Sequence, residues 1–110
     1  MNIGIRLHDT EPGTLEERLF FARQQGFSCA HLALSKTLDD FTMDEAPQKL
    51  DDALAERVRR AFSDNQLQCA VLGCYLNLAQ PDPVLRAKTQ DIYRVHLKYA
   101  QDMGALVVGT

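Results

Sequence analysis

The chain has no tryptophan, only three cysteines, and no apolar run long enough to cross a membrane. Cys29, Cys69 and Cys74 are odd in number and form neither CxxC nor any other zinc-ligand spacing, which argues against a structural zinc site and a disulfide framework. Buried, reduced thiols are expected instead. Basic residues are outnumbered: 12 Lys and Arg stand against 15 Asp and Glu, a net charge of −3, with no basic stripe. That balance argues against a nucleic-acid partner. The opening "MNIGIRLHD" carries Arg6, His8 and Asp9 and lacks an apolar h-region, so neither a secretion signal nor a membrane partner is expected, and a cytoplasmic location follows by default. Motifs that would declare a reaction are missing too. There is no HExxH, no phosphate-cradling glycine loop, no EF-hand spacing, and no serine or cysteine triad that spacing supports.

What is present is a regular alternation of strand and helix signals within 110 residues, enough for a single domain with one core. Ile3, Ile5 and Leu7 alternate with Gly4, Arg6 and His8, which predicts a first strand with two unlike faces. Thr14 followed by Glu17 reads as a capping box and Gly26 as a stop, bounding a helix of about three turns. "FSCAHLALS" predicts the second strand, and "SKTLDDFTMDEAPQK" a long loop whose Asp39, Asp40, Asp44 and Glu45 form a solvated face. Leu50, Leu54, Val58, Ala61 and Phe62 recur at the spacing of one helix face, with Asn65 as the left-handed stop. "LQCAVLGCYLNL" then predicts a buried third strand and its exit. Asp82 caps and Pro83 opens a final helix with Leu85, Ile92, Tyr99 and Met103 inward, His96 packed near that face, and Gly104 closing it. "GALVVGT" is a fourth strand. Crossovers that each hold a helix require parallel pairing, so the expected fold class is α/β, a parallel (βα)3β arrangement.

Period two also sorts the faces. Ile3, Ile5, Leu7, Leu32 and Leu34 are the helix-facing set. The opposite face takes Gly4, Arg6 and His8, then Cys29, His31 and Ala33, then Val71, Gly73, Tyr75 and Asn77, the third strand being apolar enough on both faces to allow a one-residue slip. In parallel α/β proteins ligands meet the carboxyl ends of the strands. His8 at the first exit, Lys36 after the second, and Tyr75 with Asn77 at the third are therefore the candidate substrate-binding residues. A flat ring beside an amide is how sugars are held, and Lys36 would suit an anionic phosphate. Arg6 and His31, lower on that face, are expected to be structural, paired or hydrogen-bonded groups. No catalytic and no metal-ligating residue is assigned.

"GFSCAHLALSK", "VLGCYLNLAQPDP" and "MGALVVGT" resemble the N-terminal portion of the xylose isomerase-like TIM-barrel superfamily, which includes sugar and sugar-phosphate isomerases and epimerases and family 2 AP endonucleases. The resemblance spans the chain but only about half of the barrel such proteins possess. It implies the N-terminal half of a (β/α)8 barrel. It also implies a sugar or sugar-phosphate ligand and a divalent metal (Mn, Mg or Zn) whose Glu, Asp and His ligands come mostly from later strands. Gln80 stands where relatives often carry His. On this reading the chain alone is inactive and associates with a missing half-barrel or with a second copy. The alternatives are a self-associating structural module and, disfavoured by the acidic balance, a DNA-repair endonuclease fragment.

Overall fold

A computed structural model describes residues 3–77 and 79–109. Four strands, β1 (Gly4–Arg6), β2 (Cys29–Leu32), β3 (Gln68–Gly73) and β4 (Val107–Gly109), form one sheet in the order β1-β2-β3-β4, and every pairing is parallel. An order that follows the chain without reversal is singly wound, unlike a doubly wound sheet. Thr110, expected at the exit of β4, lies outside the described residues.

Helices connect the strands as the local signals require. Helix α1 (Leu15–Gln24) starts at a capping box in which Thr14 accepts from the Glu17 N–H and Glu17 accepts from the Thr14 N–H. Gly26 follows with φ +92°, a conformation that costs glycine least. Helix α2 (Leu34–Thr37) and helix α3 (Ala46–Lys49) lie within residues 34–49 together with a 3₁₀ turn at Met43–Glu45. The long loop expected there is thus half ordered into single turns, too short to leave a periodic signature. Helix α4 (Asp52–Asp64) is capped by Asp51, and helix α5 (Pro83–Ala100) by Asp82, whose carboxylate accepts from the Val84 and Leu85 N–H groups. Among the described residues, no helix is long and apolar enough to cross a membrane.

The helices cover one face of the sheet. Ala30 and Leu32 of β2 and Cys69 and Leu72 of β3 are buried beneath Leu15, Leu19, Val58, Phe62, Ile92 and Met103. Arg57 ties α4 to α1 through two hydrogen bonds to Glu16, at 2.7 and 3.0 Å. Across the sheet, Arg6 pairs with His31, His31 with Val71, and Val71 with Val107. The β2–β3 register shifts between Ala30 and His31, so that Ala70 is the extra residue and Val71 stands beside His31. This second face is uncovered: Val107 is 56% exposed and Tyr75, just beyond β3, 51%.

Several expected positions move. Ile3, expected to face the helices, is 52% exposed because it precedes the first strand pair. The first strand ends at Arg6, and Leu7–Asp9 is a 3₁₀ turn, so Leu7 reaches the core from the turn. Ala33 is buried at the start of α2 rather than on the open face, and Leu34 is buried from within α2. Leu85 is 49% exposed in the first turn of α5, before that helix settles onto the core at Ile92. The left-handed residue after α4 is Gln66 (φ 56°), not Asn65, whose side chain donates instead to the Ala61 carbonyl.

The three cysteines are free thiols. Burial pushes the Cys69 and Cys74 thiols up to about 12, whereas Cys29 is half-buried on the open face. A disulfide-exchange reagent at pH 8 is therefore expected to label one thiol promptly in the native protein and three after denaturation. Prompt labelling of three would contradict this packing.

Candidate functional site

The carboxyl ends of β1, β2 and β3 meet on the uncovered face. His8 is set there by the 3₁₀ turn, which is fastened from behind: Arg18 of α1 donates to the Leu7 and Thr10 carbonyls, each at 3.2 Å. His31 rises from β2 next to it, with ring centroids 6.0 Å apart in an edge-on arrangement. Tyr75 follows β3, lies nearly parallel to the His31 ring with centroids 5.7 Å apart, and places its hydroxyl 2.5 Å from His31 Nε2. Lys36 Nζ sits 5.6 Å above the centre of the Tyr75 ring. A cation on the electron-rich face of a phenol is attracted but loosely held.

Gly73 makes this stack possible. A Cβ at that position would lie 2.7 Å from His31 Cε1, 2.9 Å from His31 Nε2 and 3.1 Å from Tyr75 Cε2. Only a hydrogen fits beneath the two rings. Gly4 does the same for Cys29, whose sulfur would be 2.8 Å from an added Cβ. Gly4 and Cys29 at the amino end of the face are thus small and in close contact, and polar rings stand at its rim.

Three of the four substrate-binding candidates, His8, Lys36 and Tyr75, are brought together. Asn77 is not part of that contact set: its Oδ1 accepts from the Ala79 N–H at 3.1 Å, a turn interaction that leaves Nδ2 as its donor. His31, expected to be structural, sits at the centre of the group. Arg6 is also displaced from its expected buried role, being largely exposed and paired with Asp9 at 2.8 Å. The signal for His31 was its period-two alignment with Arg6, but its contact with Tyr75 depends on the Ala70 bulge, which no local pattern announces.

Burial holds the His8 and His31 imidazoles below the ordinary histidine value of 6.5. Asp9 opposes the shift at His8, while Lys36, Arg6 and Arg18 add to it. At His31 the neighbouring His8, Arg6 and Lys36 also disfavour a proton. Both Nδ1 atoms are buried without a partner among the described residues. His96, fully buried in α5 as expected for a packing residue, has Nδ1 2.9 Å from the Ile92 carbonyl oxygen and is likewise held low by burial. The sign of the linkage follows: above pH 6.5 neither state binds these protons, and below it the unfolded chain takes up protons that the folded one refuses. Stability is expected to be full near pH 7.5 and to fall as the pH drops from 6.5 toward the folded-state values, by up to about 1.4 kcal/mol per pH unit for fully buried His96. Urea midpoints at pH 7.5 and 5.5 test this, and equal midpoints would contradict it.

The divalent metal implied by the family resemblance finds no fitting donor set on this face. Among the described residues no three His, Cys, Asp or Glu side chains come close enough to share an ion. Asp9 is engaged by Arg6, His31 Nε2 by Tyr75, and Lys36 adds positive charge. The mouth is an open shelf, whereas clefts such as the one lined by Glu16, Glu56, Arg57 and Arg60 lie on the helix side, away from the imidazoles.

Comparison with protein-family models gives no match, and comparison with curated proteins gives none. The fold itself defines an α/β domain with a four-stranded parallel sheet, helices on one side and a polar, aromatic cluster at the strand exits of the other.

Proposed function

We propose that residues 1–110 are the substrate-binding N-terminal part of a sugar or sugar-phosphate isomerase or epimerase built on a TIM barrel, with this sheet as half of the barrel wall. The observation that carries the reading is the convergence of His8, His31, Lys36 and Tyr75 at the carboxyl ends of three strands, on the face a barrel would turn inward. In this reading the Tyr75 ring packs against the apolar face of the sugar, and Asn77 Nδ2 and the imidazoles hydrogen-bond its hydroxyls. The metal and the carboxylate base come from residues outside this segment, which contributes binding and orientation.

Saturation-transfer NMR with pentoses, hexoses and their phosphates tests the reading. Transfer to at least one sugar is expected, and Tyr75→Ala should abolish it. The segment alone, supplied with Mg, Mn or Zn, should exchange no sugar proton with solvent. Absence of any sugar binding, or tight stoichiometric metal with turnover, would overturn the proposal.

The uncovered face also favours association. Val107 and Tyr75 are more than half exposed there, and the outer edges of β1 and β4 have no partner strand among the described residues. Further strands or a second copy would cover them. Light scattering that shows a stable monomer at tens of micromolar, with this face open, would exclude the second copy.

A further inference from the structure

The whole chain is acidic, with a net charge of −3, yet the mouth of the sheet is not. The charges acting on His8 are those of Arg6, Arg18 and Lys36 against the single carboxylate of Asp9, and those acting on His31 are Arg6 and Lys36. Arg6 and Asp9 satisfy one another at 2.8 Å. Arg18 is bound by backbone carbonyls behind the 3₁₀ turn. Lys36 has no carboxylate within ion-pair distance among the described residues and rests on the Tyr75 ring, a seat it can leave without breaking an ion pair. The two imidazoles beside them, His8 and His31, stand with ring centroids 6.0 Å apart, and His31 Nε2 is held by the Tyr75 hydroxyl. A lysine with no carboxylate beside it among the described residues, next to two imidazoles, is matched by a ligand with negative charge and several acceptor oxygens.

We propose that this mouth is an anion-binding site, in which Lys36 and His8 take a phosphate or carboxylate group while Tyr75 and His31 hold the part of the ligand attached to it. The inference rests on the reading of the mouth as a ligand site and narrows its ligand to a charged sugar derivative rather than a neutral one. Binding is coupled to protons. The groups facing His8 are Arg6 and Asp9 beside it, Arg18 from α1, His31 from β2 and Lys36 from α2. An anion placed among them favours the imidazolium, so the site takes up a proton as it fills and binds more tightly as the pH falls from 7.5 to 6.

The test is an NMR titration of the 110-residue chain with sulfate, which carries no titrating group in this range, followed by inorganic phosphate and acetate, all against chloride at equal ionic strength. Sulfate should move the His8, His31 and Tyr75 ring signals saturably. Its affinity should be several-fold greater at pH 6 than at 7.5 and at least tenfold weaker in Lys36→Met, an exposed substitution whose folding circular dichroism confirms. Acetate binding as well as sulfate assigns a carboxylate ligand, and sulfate and phosphate binding alone assigns a phosphoryl group; either supports the proposal. Shifts equal to those in chloride, or unaltered by Lys36→Met, overturn it. If anions bind and no sugar does, the anion site stands and the isomerase reading falls. If neutral sugars bind and anions do not, the reverse holds.

Discussion

Replacing Gly73 with alanine is expected to destabilise the protein and to abolish binding at the mouth of the sheet. Two effects compete. Alanine stiffens the unfolded chain and would on that account stabilise by about 0.4–1 kcal/mol. Its methyl, however, would stand 2.7 and 2.9 Å from atoms of the His31 ring and 3.1 Å from the Tyr75 ring. Overpacking of this kind costs about 1–3 kcal/mol where neighbours cannot yield. His31 is held between His8 and Tyr75, so its ring must tilt out of the stack and the 2.5 Å hydrogen bond to Tyr75 must break. Overpacking therefore wins, and Gly73→Val should be worse. Gly109→Ala is the control, since its added methyl meets only a Val71 methyl at 3.1 Å, away from the rings. Thermal unfolding and ligand titration on these variants are the measurements. A Gly73→Ala protein that binds as well as wild type would show that the ring stack is not part of the site.

Leu32→Ala should give the largest loss of stability. Leu32 is fully buried at the end of β2 and pairs in register with Leu72 of β3, so it lies on the two strands at the centre of the sheet. Truncating such a leucine costs about 2–5 kcal/mol, the spread reflecting how far the cavity collapses. The whole stability of a domain is about 5–15 kcal/mol. A fall in Tm of roughly 10–30 °C is expected for a chain of this size. A change below a few degrees would mean that Leu32 is not beneath the helices.

These two positions also show what could be read from the sequence. Leu32 follows from period two alone, because a strand whose alternate residues are apolar must turn them toward the helices. The caps at Thr14 and Asp82 and the stop at Gly26 were legible for the same reason: each is settled by a few neighbouring residues. The parallel order followed from crossovers long enough to hold a helix. Period two puts Gly73 on the open face, but its role beneath the rings depends on how β2 and β3 slide past one another at Ala70. Lys36 and Tyr75 are 39 positions apart, and their approach depends on α2, a single turn with no periodic signal. From its place on the strand His31 needs only a hydrogen bond. Its centrality comes from having His8 on one side and Tyr75 on the other.

We propose that the strand exits on the face opposite the helices carry a sugar-binding site. Polar rings at the rim of that face, two of them joined by a hydrogen bond, supply groups to hold a ligand. The most direct measurement is of intermolecular nuclear Overhauser effects between a bound sugar, from the pentoses, hexoses and their phosphates, and the aromatic protons of the chain. Contacts to the Tyr75 and His31 rings are expected. Contacts confined to side chains of the helix layer, or none at saturating sugar, would contradict that reading.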